Sequence, residues 1–233
     1  MRVVVTGAAG FLGRSVSSRL EEQGNEVIRV ARTPGNLRAS ERASALYLDL
    51  RRPDVFKHSL PSNLDTIVHL AAAIPTSFTG TDANNAAQAN IAIDRNVFLA
   101  CRDLGVATIY ASGTSVYGLG NSGPHVESAP TSAVGPYVAA KIAGEHAGKE
   151  LLQARGIPFT VLRISAPYGP GQQARTVLRL FIERGLQDLP LQYHGTGSRQ
   201  QDFTYVADVV DAVAKACRIQ PRGIYNIASG REP

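Results

Sequence analysis

Short runs of β-branched and aliphatic residues alternate with longer stretches in which apolar positions return every three or four residues. "RVVVTG" (2–7), "EVIRVA" (26–31), "ALYLDL" (45–50), "LDTIVHLA" (64–71), "VATIYAS" (106–112) and "PFTVLRI" (158–164) read as strands. Residues 11–23 read as a helix with Phe11, Leu12, Val16 and Leu20 inward, stopped by Gly24. A long helix over about 83–104 ends at Gly105, and a third covers about 134–155. Strands alternating with helices build a parallel sheet covered on both faces, a doubly wound α/β architecture of Rossmann type. Periodicity alone does not give the strand order.

Beyond about residue 165 the pattern loosens. "APYGPGQ" is turn-rich, residues 173–187 are helical, "LQYHGTGSRQQDF" is loop with a short strand, "YVADVVDAVAKACR" is helical and "GIYNIAS" is a strand. This divides the chain into a larger unit over 1–165 and a smaller C-terminal substrate lobe over 166–233, interleaved with the last sheet strands. Little sequence follows the last strand to cover it, so the lobe is expected to be incomplete in this chain.

Composition changes this picture little. The 233 residues are 44% hydrophobic and 18% charged, a globular balance with enough apolar matter for a sizeable core. The net charge of +5 comes from scattered arginines, with no basic block and no recognition motif, so nucleic acid is not an expected partner. Cys101 and Cys217 lie far apart in helical stretches without metal spacing, and are expected to be buried thiols of a reducing compartment. No apolar run nears the roughly 18 residues of a membrane helix, and Met1 leads straight into a strand. The expected location is the cytoplasm.

"TGAAGFLG" joins the first strand to the first helix. Its Gly7, Gly10 and Gly13 have the spacing that suits a pyrophosphate: one for the tight turn, one for close backbone approach, one for helix-on-sheet packing. The helix N-terminus adds N–H groups and partial positive charge. After the second strand, where an acidic residue would bind ribose hydroxyls, stand Ala31 and Arg32. An arginine there can pair with a 2′-phosphate, which favours NADP over NAD; the alternative is a solvated Arg32, with Arg38 another candidate for the phosphate. Asp49, ending the third strand, is a candidate acceptor for an adenine amino group, or simply caps the strand. Ala71–Ala73 are small enough to leave room for the second ribose.

"YVAAK" places Tyr137 and Lys141 four apart on a helix, hence on one face. A phenol titrates near ~10 and is a poor base at neutral pH. A neighbouring ammonium, and an oxidised nicotinamide, would favour the phenolate. Tyr137 is then the expected acid/base partner of a hydride transfer.

"TGAAGFLG", "HLAAA", "ASGTSVYG", "PYVAAK", "LRISAPYGPGQ" and "QDFTYVADVVDA", in that order, resemble an extended short-chain dehydrogenase/reductase of the NAD(P)-dependent epimerase/dehydratase group acting on nucleotide sugars. The resemblance implies Tyr137 as acid/base, Lys141 as ribose ligand and tuner of Tyr137, and Asn90 as a residue of the long helix near the site. An alternative for Asn90 is a helix-to-strand bridge. The resemblance also implies a homodimer. The candidate cofactor set is therefore Gly7, Ala9, Gly10, Phe11, Leu12, Gly13, Arg32, Asp49, Leu50, Leu70, Ala71, Ala72, Asn90, Tyr137 and Lys141.

The sequence departs from the group in places. Gly113 stands where a Ser or Thr is expected, leaving Thr114 or Ser112 as the candidate orienting hydroxyl. Thr114 and Ser115 replace the acidic pair of the dehydratases, which argues against dehydration. Ala166 and Gln201 replace an asparagine and an arginine that hold a diphosphate, so Arg175 and Arg199, with Ser165, are the substrate-side candidates. Three readings stand open: a nucleotide-sugar epimerase, an NADP-dependent dehydrogenase or reductase of another substrate, and a non-catalytic dinucleotide sensor.

Overall fold

The computed structural model describes residues 1–35, 37–77, 79–118, 124–174, 176–192 and 200–230. In chain order the elements are β1 (Arg2–Thr6), α1 (Phe11–Glu22), β2 (Glu26–Ala31), α2 (Ala39–Ser44), β3 (Leu46–Tyr47), α3 (Val55–Ser59), β4 (Thr66–His69), α4 (Gly80–Leu104), β5 (Ala107–Gly113), α5 (Pro136–Leu151), β6 (Phe159–Ile164), β7 (Pro167–Tyr168), α6 (Val177–Gly185), β8 (Thr204–Tyr205), α7 (Val206–Ile219) and β9 (Gly223–Ile227). The main sheet is parallel, in the order β3-β2-β1-β4-β5-β6-β9. The chain works outward from β1 to β3, then returns to lay β4 on the other side of β1. That reversal opens a crevice beyond the carboxyl ends of β1 and β4, where sheets of this kind take their ligands.

Strand alternation sorts the core into two layers. Val3, Val5, Val68, Ile109 and Leu162 meet Val16 and Leu20 of α1 and Val209, Val213 and Cys217 of α7. Val4, Ile67, Tyr110, Phe159 and Val161 meet Val97, Phe98 and Cys101 of α4, with Phe56 of α3. Both cysteines are free and buried, and burial pushes each thiol up to about 12. Among the described residues no helix is long and apolar enough to cross a membrane, and no group of three metal-ligating side chains gathers.

Several boundaries differ from the sequence pattern for local reasons. The third strand pairs only at Leu46–Tyr47. Leu48 adds one bond to Ala31, and the backbone then turns at Asp49, whose carboxylate accepts from the Arg51 N–H and whose carbonyl accepts from Arg52. The long helix starts at Gly80, because Asp82 in its first turn gathers the Thr76 N–H and hydroxyl and the Ser77 N–H. The Tyr-bearing helix starts at Pro136, a residue with no N–H to leave unpaired at a first helical position, and ends at Leu151, before a 3₁₀ turn over Gln153–Arg155. The helix expected over 173–187 is Val177–Gly185, with Thr176 as its cap. Pro167–Tyr168, in the turn-rich stretch, pair with Thr204–Tyr205 as a small second sheet. The short helices α2 and α3 have no forerunner in the periodicity.

Candidate active site

The glycine loop closes the crevice at the switch in strand order. Gly7 has φ +69, and a Cβ on it would lie 2.8 Å from the Ala71 nitrogen and 2.9 Å from the Ala71 Cα, so the ends of β1 and β4 touch through backbone alone. A Cβ on Gly13 would meet the Gly7 carbonyl and the Ala8 Cα, which holds α1 hard against the turn. Gly10 begins α1 with extended backbone and no side-chain cap. The first N–H groups of α1 thus stay available to an anion. Phe11 and Leu12 pack on the α1/α7 layer and anchor that helix start. A cradle this close, with small residues on both sides, fits the pyrophosphate of a dinucleotide.

The loop after β2 lies beside it. A Cβ on Gly35 would stand 3.1 Å from that of Ala9. Arg32 in this loop is exposed, one residue beyond the end of β2. Asp49 is gripped by Arg51, with Nε 2.8 Å from Oδ1 and Nη2 2.6 Å from Oδ2. Those hydrogen bonds hold its carboxyl down to about 2, helped by the charge of Arg32. Asp49 lies two residues beyond the paired end of β3, with both carboxylate oxygens held by Arg51. Leu50 is buried, and its carbonyl accepts from Asn96 of α4 at 3.0 Å.

The loop after β4 is held from two sides. Thr6 Oγ1 accepts from the N–H groups of Leu70 and Ala71, each at 3.2 Å. Asn90 is 1% exposed; its Oδ1 accepts from the Ala73 N–H at 2.7 Å and its Nδ2 donates to the Ala73 carbonyl at 3.0 Å. The structure gives Asn90 the helix-to-loop bridge that the sequence offered as its alternative role. It bridges α4 to this loop and shapes the space beside Ala71 and Ala72, with both ends of its amide bound to Ala73.

Tyr137 and Lys141 leave the first turns of α5. Lys141 Nζ donates to the Ala111 carbonyl at 3.0 Å, at the end of β5, and stands 4.8 Å from the centroid of the Tyr110 ring. Because β5 borders β4, this puts Lys141 one strand away from the Gly7–Ala71 contact. The electrostatics differ from the sequence-based expectation that Lys141 lowers the phenol. Burial first, and the negative charge of Asp94 second, push Tyr137 up to about 12. Burial lowers Lys141, against the opposing pull of Asp94 and Glu145. Without a ligand's positive charge, Tyr137 is a phenol at neutral pH.

Ser112 and Ser165 are both committed inside the protein. Ser112 is 7% exposed and donates to Glu145 Oε1 at 2.5 Å; Arg163 grips the same carboxylate through Nε at 3.1 Å and Nη2 at 2.6 Å. Ser165 is 2% exposed and donates to the Asp202 carbonyl at 2.8 Å. These bonds link β5 to α5 and β6 to the turn before β8. Thr114 is half-buried at the start of a 3₁₀ turn over Thr114–Tyr117. Gly113 has ordinary extended backbone and ordinary space where a Cβ would sit, so the fold does not require a glycine there. Arg175 and Arg199 lie outside the described residues.

Sequence reading passed over His69, Asp94, Tyr110 and Glu145. A signal for Asp94 existed: Asn90, Asp94, Val97 and Cys101 recur at helical spacing on the buried face of α4. A carboxylate in such a row is buried or the row is not a core face. His69 carried a fainter one, as the imidazole closing an otherwise apolar strand run.

Comparison with known proteins gives concordant results. The family model described as the NAD dependent epimerase/dehydratase family matches residues 3–228. A Bacillus subtilis protein described as "Uncharacterized UDP-glucose epimerase YtcB" is 32% identical over 229 residues, covering 91% of this chain and 71% of the relative. The UDP-glucose 4-epimerase of Mycolicibacterium smegmatis is 30% identical over 230 residues, covering 93% and 73%. Among solved structures, the Thermus thermophilus UDP-glucose 4-epimerase in complex with NAD superposes with a TM-score of 0.86 at 29% identity, over all of this chain and 79% of the other.

Proposed function

The chain belongs to the NAD-dependent epimerase/dehydratase family, and on that premise we propose that it is a nucleotide-sugar epimerase in which Tyr137 is the acid/base. The observation that carries the reading is Lys141 seated on the Ala111 carbonyl. It brings the Tyr137 helix to the end of β5, beside the glycine cradle. The bound dinucleotide supplies a hydride acceptor and donor, and in its oxidised form a positive charge. Gly7, Ala9, Gly10, Phe11, Leu12 and Gly13 form its pyrophosphate cradle, Arg32, Asp49 and Leu50 its adenosine end, and Leu70, Ala71 and Ala72 the wall beside its ribose. Lys141 reaches the nicotinamide ribose. Tyr137 takes the proton of a sugar hydroxyl as that carbon is oxidised, and returns it when the carbonyl is reduced from the opposite face. Thr114 orients the sugar oxygen. The substrate lobe is sought in the segments after residue 165 other than α7 and β9, which belong to the main layer and sheet; Arg175 and Arg199 stay candidates for a diphosphate from the sequence.

Arg32 gives this site a preference for the 2′-phosphate of NADP within the same proposal. Association of two copies through the outer faces of α4 and α5 belongs to it too, and light scattering tests that part. The main test is to denature the purified protein, identify any released dinucleotide, and titrate the emptied protein with NADPH and NADH. NADPH bound about tenfold more tightly, a difference lost in Arg32→Ser, is the expected result for Arg32. Tightly held NAD would overturn the Arg32 reading and strengthen the epimerase, whose recycled cofactor need never leave. Interconversion of UDP-hexose epimers by the loaded protein is the positive result for the activity.

A further inference from the structure

The helix that carries Tyr137 is reached through a strap that lies outside every helix and strand. Residues 124–135 lead straight into Pro136 and Tyr137. Side chains and single backbone bonds pin the strap in place. The Ser132 N–H donates to the Val116 carbonyl at 2.8 Å. The Glu127 carbonyl accepts from Arg163 Nη1 at 3.2 Å, and Glu127 Oε1 accepts from the Asn226 N–H at 2.9 Å. The His125 carbonyl accepts from Asn226 Nδ2 at 2.8 Å.

Tyr117 stands at the centre of these bonds. It ends the 3₁₀ turn that begins at Thr114, and it is 1% exposed. Its ring stacks on that of His125, with centroids 4.7 Å apart and planes 16° from parallel. The guanidinium carbon of Arg163 lies 4.8 Å from its centroid. Its hydroxyl meets Asn226 Oδ1 at 2.7 Å. The direction of that bond follows from chemistry. A backbone carbonyl can only accept, so the amide end of Asn226 that faces His125 is the nitrogen, and the oxygen at the other end takes the Tyr117 proton. Asn226, on β9, thus commits both ends of its amide and its backbone N–H to this one junction. Arg163, on β6, holds the strap with one nitrogen and Glu145 of α5 with its other two.

Packing carries the junction to the reactive group. Val116, Tyr117 and Val138 form a small buried cluster apart from the two sheet layers, and Tyr137 packs against it with Ala129 and Ile142. Tyr137 therefore rests on the cluster that also anchors the turn starting at Thr114. In the proposed reaction these two residues flank the sugar oxygen. A misplacement of about 1 Å between reacting groups can cost about 100-fold in rate.

We propose that Tyr117 and Asn226 are positioning residues: their hydrogen bond latches the 124–135 strap and sets Tyr137 and Thr114 in place for one substrate oxygen. The inference deepens the acid/base reading of Tyr137 and rests on it for its meaning in turnover. Tyr117 is buried and acts through what it holds.

The test is Tyr117→Phe, which keeps the ring contacts and removes only the hydroxyl. In the ligand-free protein, amide hydrogen exchange at Ala129 and Ser132 should quicken about tenfold or more, and by more than at Val4 and Val5 of β1, which report global unfolding. In the loaded protein kcat should fall about 10- to 100-fold, while dinucleotide affinity stays within about twofold of native. Asn226→Ala breaks the same bond from its other side and should reproduce both effects. The double variant should be no slower than Asn226→Ala alone, since only one bond joins the pair. Strap exchange that rises no more than that of β1 overturns the latch. A loosened strap with native kcat overturns its positioning role. If Tyr117→Phe does not fold, Asn226→Ala is judged by the same criteria. Undiminished turnover in Tyr137→Phe sinks the acid/base reading instead, while strap exchange still reports on the latch.

Discussion

The two faces of the sheet are built on different physical terms. On the α1/α7 face, Val3, Val5, Val16, Leu20, Ile109, Val209 and Val213 make an apolar layer, with buried Arg29 held by Glu21 of α1, and Ser17, beside it. On the α4/α5 face, apolar Val97, Phe98 and Phe159 surround His69, Asp94, Tyr110, Lys141, Ser112, Glu145 and Arg163, all buried. Burial of apolar surface stabilises without direction, at about 25 cal/mol per Å². Buried charges stabilise little in net terms, and each must be matched by a specific partner. The first face can vary wherever volume is conserved. The second must keep its geometry, because Glu145 answers to Ser112 and Arg163 together, and Asp94 to His69 and Tyr110. The chemistry of the site grows from the face that is harder to build.

The largest blow to this contrast is Tyr137→Phe. Turnover should fall about 100- to 10,000-fold, as for the loss of a general acid/base, while cofactor titration stays near native. Steady-state assay and dinucleotide binding on the same preparation check both halves. Next comes Glu145→Gln, which strands the buried guanidinium of Arg163 and weakens the acceptor of Ser112. Urea unfolding should show a loss of about 3–5 kcal/mol. A loss no larger than that of an exposed substitution would mean that the α4/α5 cluster is not the matched system described above. Leu20→Ala, on the apolar face, should cost about 2–5 kcal/mol by the same measurement. At temperatures where it stays folded, its turnover should be that of the native protein. Stability and function separate on one face and are coupled on the other.

The glycine triplet, the Tyr–Lys spacing and the strand/helix alternation each follow from short-range rules, so the tight turn at Gly7, the shared helix of Tyr137 and Lys141 and the parallel layered sheet were legible in the sequence. The stops at Gly24 and Gly105 follow likewise from local backbone chemistry. Partners distant along the chain were not legible. Ser112 is a plausible orienting hydroxyl until Glu145 and Arg163, 33 and 51 positions away, are seen to enclose it. Asn90 is a plausible ligand until Ala73 takes both ends of its amide. Lys141 is a plausible tuner of Tyr137 until Ala111 and Tyr110 are seen to hold it and burial, ahead of the charge of Asp94, to raise the phenol. The sequence by itself determined which groups the protein carries and which elements bear them. Only the tertiary structure decided which groups are buried together. Hydrogen bonds and buried charges depend on ångström-scale distances between segments that helix and strand periodicity does not relate to one another.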